Sequence, residues 1–332
     1  MSPDGEPAGL LASPPVRKEW TVMLVWVLFL LAAAVLTAGY LMFRHICVRR
    51  GEEDFWDDSV LIRHGYGTLR ESVKNGRLFL EQQVMEHITV ESDDQLTLHA
   101  LLVPQSRPRG TVILCHGYRS SWKLDFSCVF RFFYERGYQL LLIDERAHGE
   151  SEGRFITYGA LERYDLRAWV RYLSQRFGAE HAILLHGLSM GATVVLLSSA
   201  LELPGNVRGI IADCGFTSPY EIIKSVMGRK TPWLPTGPAL ALVNLFTMAF
   251  AGFELKDCST TEALAETRYP VLLIHGTADN FVPCEMSKEN YAACAGEKRL
   301  ILVEGAGHGM SYLKDPARVE DAVDAFLRDH MP

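Results

Sequence analysis

The chain is poor in the signatures of several common chemistries. It has seven cysteines in 332 residues, an odd number without a C-x-x-C pair, which argues against a disulfide scaffold and a structural zinc site. Cys115 and Cys214 close the apolar runs TVILC and IIADC, as small buried hydrophobes do. Positive charge is not in excess: 33 Lys and Arg stand against 40 Asp and Glu, a net charge of −7. No global cationic field gathers nucleic acid, so no nucleic-acid partner is expected. P-loop, G-x-G-x-x-G and H-E-x-x-H strings are missing; nucleotide, dinucleotide and catalytic-zinc chemistry therefore have no support, and neither cofactor nor metal is expected. Repeats, Gly/Ser linkers and low-complexity tracts are absent too. With 48% hydrophobic and 22% charged residues, the composition is that of a globular chain with one large domain or two small ones.

Long apolar runs are scarce, with one exception at residues 22–43, which carry no charge. As a helix this run spans about 33 Å, the hydrocarbon thickness of a bilayer. A cleaved signal peptide has a core of about 7–15 residues before a small-x-small site. Here the run is longer, Ala32 and Ala34 fall inside it, and Cys47 follows Arg44, His45 and Ile46 rather than small residues. The segment reads as an uncleaved single-pass anchor after a tail at residues 1–21. Arg17 and Lys18 on one side nearly cancel Arg44, Arg49 and Arg50 on the other; signal-anchor logic then favours an extracytoplasmic domain. A second apolar stretch lies within residues 226–258, but Pro232, Pro235 and Pro238 interrupt it. Too few unbroken positions remain for a span of about 20 residues, so this stretch reads as a helical cap over an apolar pocket.

Residues 44–85 are polar and mixed, and read as a partly helical collar between membrane and domain. From residue 86 onward short apolar runs appear: HITV and LTLHALLV around an Asp93-Asp94 turn, then TVILC, YQLLLI, HAILLH, VRGIIAD, YPVLLIH and RLILVEG. Helical candidates separate them at residues 125–135, 160–177, 190–203, 284–295 and 316–328. A hairpin followed by strand–helix alternation predicts an α/β domain over residues 86–330, a mostly parallel sheet with helices on both faces.

The chemistry gathers at strand ends. Gly187-Leu188-Ser189-Met190-Gly191 follows HAILLH and opens a helix. A nucleophile on such a cramped turn needs small residues two before and two after it, and both Gly187 and Gly191 comply. A serine hydroxyl also needs a base, and the base an orienting acid. YPVLLIH runs into a loop carrying Asp279, and RLILVEG into one carrying His308, giving the chain order Ser, Asp, His. Asp213, after VRGIIA, is the alternative acid. Cys115-His116-Gly117-Tyr118 follows another strand. Gly117 lets that loop bend, so that the Tyr118 and Met190 backbone N–H groups can meet a developing oxyanion; His116 and the Tyr118 side chain then line the floor or mouth. His148 reads as a structural loop residue, and His186 and His275 as core histidines.

In order, HGYRSS, DERAHGESEG, GLSMGA, HGTADNFVP and GAGHG resemble the α/β-hydrolase superfamily. Within it the chain resembles membrane-anchored members related to the serine aminopeptidase and acyl-ester hydrolase branch. The resemblance implies an eight-stranded sheet and a Ser189/Asp279/His308 triad. Prolyl-peptidase-like members usually carry two glycines after the elbow, where this chain has Gly191-Ala192, which weakens a peptidase reading. The expectation is a membrane-tethered serine hydrolase acting on small-molecule acyl or lipid-like esters or thioesters, with the bilayer as its other partner. An exopeptidase or amidase, and a non-catalytic module on the same fold, are the alternatives.

Overall fold

The computed structural model describes residues 16–51 and 53–332; residues 1–15 of the expected tail lie outside the described residues. The eight apolar runs pair into one sheet: β1 (Glu86–Glu91), β2 (Thr97–Val103), β3 (Gly110–Cys115), β4 (Tyr138–Ile143), β5 (Ile183–Leu188), β6 (Val207–Asp213), β7 (Val271–Gly276) and β8 (Lys298–Val303). Their order is β1-β2-β4-β3-β5-β6-β7-β8. β1 and β2 form an antiparallel hairpin, β2 runs antiparallel to β4, and the remaining pairs are parallel. β3, β4 and β7 are buried at every position, which is why their sequences are unbroken apolar runs; β1, at the edge, fully buries only Ile88.

Before the sheet come α1 (Val16–Cys47), α2 (Asp58–Arg63) and α3 (Arg70–Leu80). The connections hold α4 (Trp122–Asp125), α5 (Phe130–Glu135), α6 (Glu162–Phe177), α7 (Met190–Ser198), α8 (Pro219–Lys230), α9 (Thr236–Phe246) and α10 (Thr260–Ala265), then α11 (Cys284–Ala293), α12 (Ser311–Lys314) and α13 (Pro316–His330). One core face packs α6 and α7 on the sheet through Leu166, Trp169, Val170 and Val194. The other packs α5 and α13 through Phe130, Phe133, Val323 and Phe326. α7 is buried along its whole length, so it reads as an apolar run rather than an amphipathic one.

Three expectations need correction. The helix anticipated at 125–135 is two short ones, interrupted where Ser127 wedges against Gly76 of α3, whose missing Cβ would lie 2.6 Å from the Ser127 Cβ. The helix from residue 190 stops at Ser198, where the Ser198 and Ser199 hydroxyls donate to the carbonyls of Val194 and Leu196. The collar carries α2 and α3 and packs onto the domain. Its first residues, 44–47, complete α1, while Phe55, Val60, Leu61 and Val73 form a small core with Leu124, and Phe79 and Leu80 join the core beside β4.

The cap, inserted between β6 and β7, begins at Pro219 rather than at residue 226. The Ser218 hydroxyl accepts from the Glu221 N–H at 3.1 Å, with Pro219 in the first turn, an N-terminal signature that the apolar pattern alone does not reveal. α9 continues into a π-helical turn (Thr247–Ala251). α1 is long and apolar enough to cross a membrane. Residues 20–38 are exposed, and only the last turns meet the cap: a Cβ on Gly39 would lie 3.0 Å from the Leu242 Cβ, and Tyr40 and Phe43 pack on Phe246 and Phe250.

Candidate active site

The sheet delivers its polar loops to one rim. Between β5 and α7 the backbone turns so tightly that Ser189 sits at φ +56° and ψ −113°, a conformation an L-residue adopts only under constraint. A Cβ on Gly187 would fall 2.1 Å from the Gly191 carbonyl oxygen, and one on Gly191 1.8 Å from the Cys115 carbonyl oxygen. Both positions are glycine for lack of space. The same holds at Gly117: its φ is not in the left-handed region, and an added Cβ would meet Ser189 Cβ at 3.3 Å and Asp125 Oδ2 at 3.2 Å. The bend itself falls at Arg119, φ +53°.

Ser189, His308 and Asp279 are brought together. Ser189 Oγ lies 2.9 Å from His308 Nε2, and His308 Nδ1 lies 2.7 Å from Asp279 Oδ2. The Nδ1–H donates to the carboxylate, leaving Nε2 free to accept the serine proton. Asp279 is heavily engaged: Oδ1 accepts from the Phe281 and Val282 N–H groups at 2.7 and 2.9 Å, and Oδ2 also faces His275 Nε2 at 3.2 Å. Burial pushes this carboxyl up, but the hydrogen bonds from His275, His308 and Phe281 outweigh it and hold the group well below the usual carboxylate range. It stays charged and oriented.

Asp213 is not bonded to His308. Its carboxylate accepts from Ser311 Oγ at 3.3 Å, and its carbonyl takes the Ser189 N–H at 2.8 Å; burial lifts it to about 6. Cys214 Sγ shares a 4.8 Å cluster with side-chain atoms of Asp279 and His308, but burial pushes its thiol well up. The acid and base are already bonded to each other, so the trio offers no thiolate ligand.

The N–H groups of Tyr118 and Met190 have no acceptor among the described residues, and Met190 opens α7, where the helix dipole favours negative charge. Their loop is braced from beneath. The Gly117 N–H donates to Asp125 Oδ2 at 2.7 Å. His116 lies fully buried rather than at the floor or mouth: Nδ1–H donates to the Gly117 carbonyl, and Nε2 accepts the Glu145 N–H. His148 holds the Arg146 carbonyl through Nδ1–H and accepts the Arg119 N–H at Nε2. Burial lowers both rings, keeping them neutral, as this donor–acceptor pattern requires. These braces, and the contact of His275 with Asp279, carry no motif of their own; only the strand-end positions of the two histidines at 116 and 275 point to the site.

α1 reaches the site as well. Its Ile46 carbonyl accepts from the hydroxyls of Tyr118 and Tyr158 at 2.7 and 2.9 Å, and Arg119 Nη2 donates to the His45 carbonyl at 2.6 Å. Ser189 opens onto a cavity of about 1340 Å³, walled by the end of α1, the collar and the cap, with Phe216, Ile223, Met227 and Trp233 among its apolar lining. The arrangement can carry out acyl transfer: a positioned hydroxyl, an acceptor nitrogen, a fixed carboxylate and two free donors beside an apolar cavity.

A profile of the alpha/beta hydrolase family matches residues 112–322, and the chain belongs to that family. YqkD of Bacillus subtilis (strain 168) is 30% identical over 226 residues, covering 68% of this chain and 73% of YqkD. Rv2307c of Mycobacterium tuberculosis (strain ATCC 25618 / H37Rv) is 27% identical over 245 residues, covering 73% of this chain and 79% of that protein. Among solved structures, the Pyrococcus furiosus esterase Pf2001 superposes with a TM-score of 0.60 at 24% identity, over 75% of this chain and 94% of its own. A dienelactone hydrolase from Anabaena variabilis does so with a TM-score of 0.54 at 17% identity, over 76% and 100%. At these identities the structural likeness speaks for the fold.

Proposed function

We propose that this protein is a membrane-tethered serine hydrolase that cleaves acyl esters or thioesters through a covalent acyl-enzyme. The carrying observation is the unbroken hydrogen-bond chain Ser189–His308–Asp279 at the foot of an apolar-walled cavity. Ser189 Oγ attacks the carbonyl as His308 Nε2 takes its proton, and Asp279 keeps the ring in the tautomer that can do so. The Tyr118 and Met190 N–H groups take the oxyanion, each worth about 3 kcal/mol of barrier. His308 then returns the proton to the leaving group and activates the water that releases the acid. Two of the structural neighbours are described as an esterase and a dienelactone hydrolase, which supports ester over amide chemistry.

The tether rests on α1. Its exposed apolar length is unfavourable in water and suited to lipid, and Leu245, Met248 and Phe250 of the cap are exposed on the element against which it packs. The domain then stands on the extracytoplasmic side, as a signal anchor would leave it; protease protection in sealed vesicles reads the side directly. Hydrolysis of p-nitrophenyl esters of increasing chain length by the full chain, against aminoacyl amides, tests the substrate class. A rate that climbs with chain length and vanishes in Ser189→Ala is expected; faster turnover of aminoacyl amides would favour the peptidase reading.

A further inference from the structure

The cavity wall contains a cluster of positive charge that the acyl-transfer chemistry does not use. Four carboxylates line the cavity, and each is engaged: Glu53 by His64, Glu81 by Arg77, Asp144 by the Trp122 indole and the Glu150 N–H, and Glu150 by His99. Among the lining cations, Arg77 and Lys123 have carboxylate partners, and Arg49 is held by the carbonyls of Gly149 and Ser151. Arg119 is likewise held, by the carbonyls of His45 and Val48. Arg50, Arg119 and Lys230 line the same cavity without a carboxylate partner among the described residues, Arg50 donating to His45 Nδ1 at 3.2 Å and Arg119 to the His45 carbonyl.

We propose that this cluster binds the phosphate of an anionic amphiphile whose acyl ester lies at Ser189, so that the substrates are phosphate-bearing acyl esters. The inference rests on the serine-hydrolase reading and narrows it. Guanidinium and ammonium N–H groups from three side chains suit an anion with several oxygens. The cluster sits where α1 ends, the level at which a lipid headgroup stands when that helix spans a bilayer. The same cavity is lined by Met227, Phe216 and Ser189, giving an acyl chain apolar side chains to lie against.

Monomeric probes separate recognition in the cavity from attraction to a charged membrane surface. The full-length chain in neutral detergent is compared on hexanoylglycerol phosphate and hexanoylglycerol, alongside an Arg50→Gln/Lys230→Gln double variant. The expected kcat/KM ratio is at least about tenfold in favour of the phosphate ester, falling towards one in the double variant. Binding of hexyl phosphate, hexanol and inorganic phosphate to Ser189→Ala protein gives a readout independent of turnover. Hexyl phosphate should bind best, and its advantage over hexanol should disappear when the two cations are also removed. A ratio near one, an advantage untouched by the double substitution, inorganic phosphate binding as tightly as hexyl phosphate, or a preference seen only on anionic vesicles would each overturn the proposal. Absence of fluorophosphonate labelling in the wild type would instead sink the hydrolase reading, with the binding comparison still deciding the phosphate site.

Discussion

The strand-end rim and the α1–cap face are built on opposite terms. At the rim the polar groups that matter are matched: Asp279 takes two backbone N–H groups and faces two imidazoles, and buried histidines brace the Tyr118 loop. On the α1–cap face, apolar side chains stand uncovered from Trp20 along the helix to Phe250. The first region is finished within the chain, whereas the second is complementary to an apolar surrounding that the chain does not supply. They meet where the Ile46 carbonyl receives Tyr118 and Tyr158, so the helix that would hold the protein in a membrane also buttresses the candidate oxyanion loop.

The sharpest way to break the rim is to fill its backbone contact. Gly191→Ala would place a methyl group 1.8 Å from the Cys115 oxygen and should cost more than about 4 kcal/mol, read as lost soluble folding or a collapse of Tm. Gly228→Ala in the exposed part of α8, with nothing within 4 Å of its new Cβ, should gain up to about 1 kcal/mol. Next, Asp279→Asn should lower kcat by about 10³–10⁴-fold by spoiling the His308 tautomer, while Asp213→Asn should stay within about tenfold, both measured on one ester.

On the other face, Gly39→Leu forces α1 off Leu242 and Phe246 and should cost about 2 kcal/mol, lowering Tm by a few degrees and leaving the rim's labelling by serine probes intact at low temperature. A further effect is pH-dependent. Asp213, raised by burial to about 6, binds its proton more tightly folded than unfolded, so its contribution is fully present below about pH 4 and is lost as pH rises through 6. Asp213→Asn should therefore gain stability relative to wild type between pH 4 and 7, by about 1–2 kcal/mol, in paired thermal melts. A gap that shrinks over that interval would contradict the assignment.

The sheet was legible because buried parallel strands leave unbroken apolar runs, and Ser189, Asp279 and His308 because each directly follows such a run. Space explains what the pattern missed. Gly117 looked like a bend residue, yet its constraint is the approach of Ser189 and Asp125; the break at Ser127 depends on Gly76, distant in sequence. The collar looked polar because its few apolar positions, Phe55, Leu61 and Val73, are scattered, and only the folded chain shows that they share a core. The burial of His116 follows from the Glu145 N–H that it accepts, a tertiary contact without local signature.

The most direct test is fluorophosphonate labelling of membranes carrying the full chain, compared across wild type, Ser189→Ala and His308→Ala. Labelling in the membrane pellet that vanishes with Ser189→Ala and falls by about 10³-fold or more in rate with His308→Ala is the predicted result. A well-folded wild type that resists the probe, or a Ser189→Ala protein that still labels, would contradict a serine nucleophile at this rim.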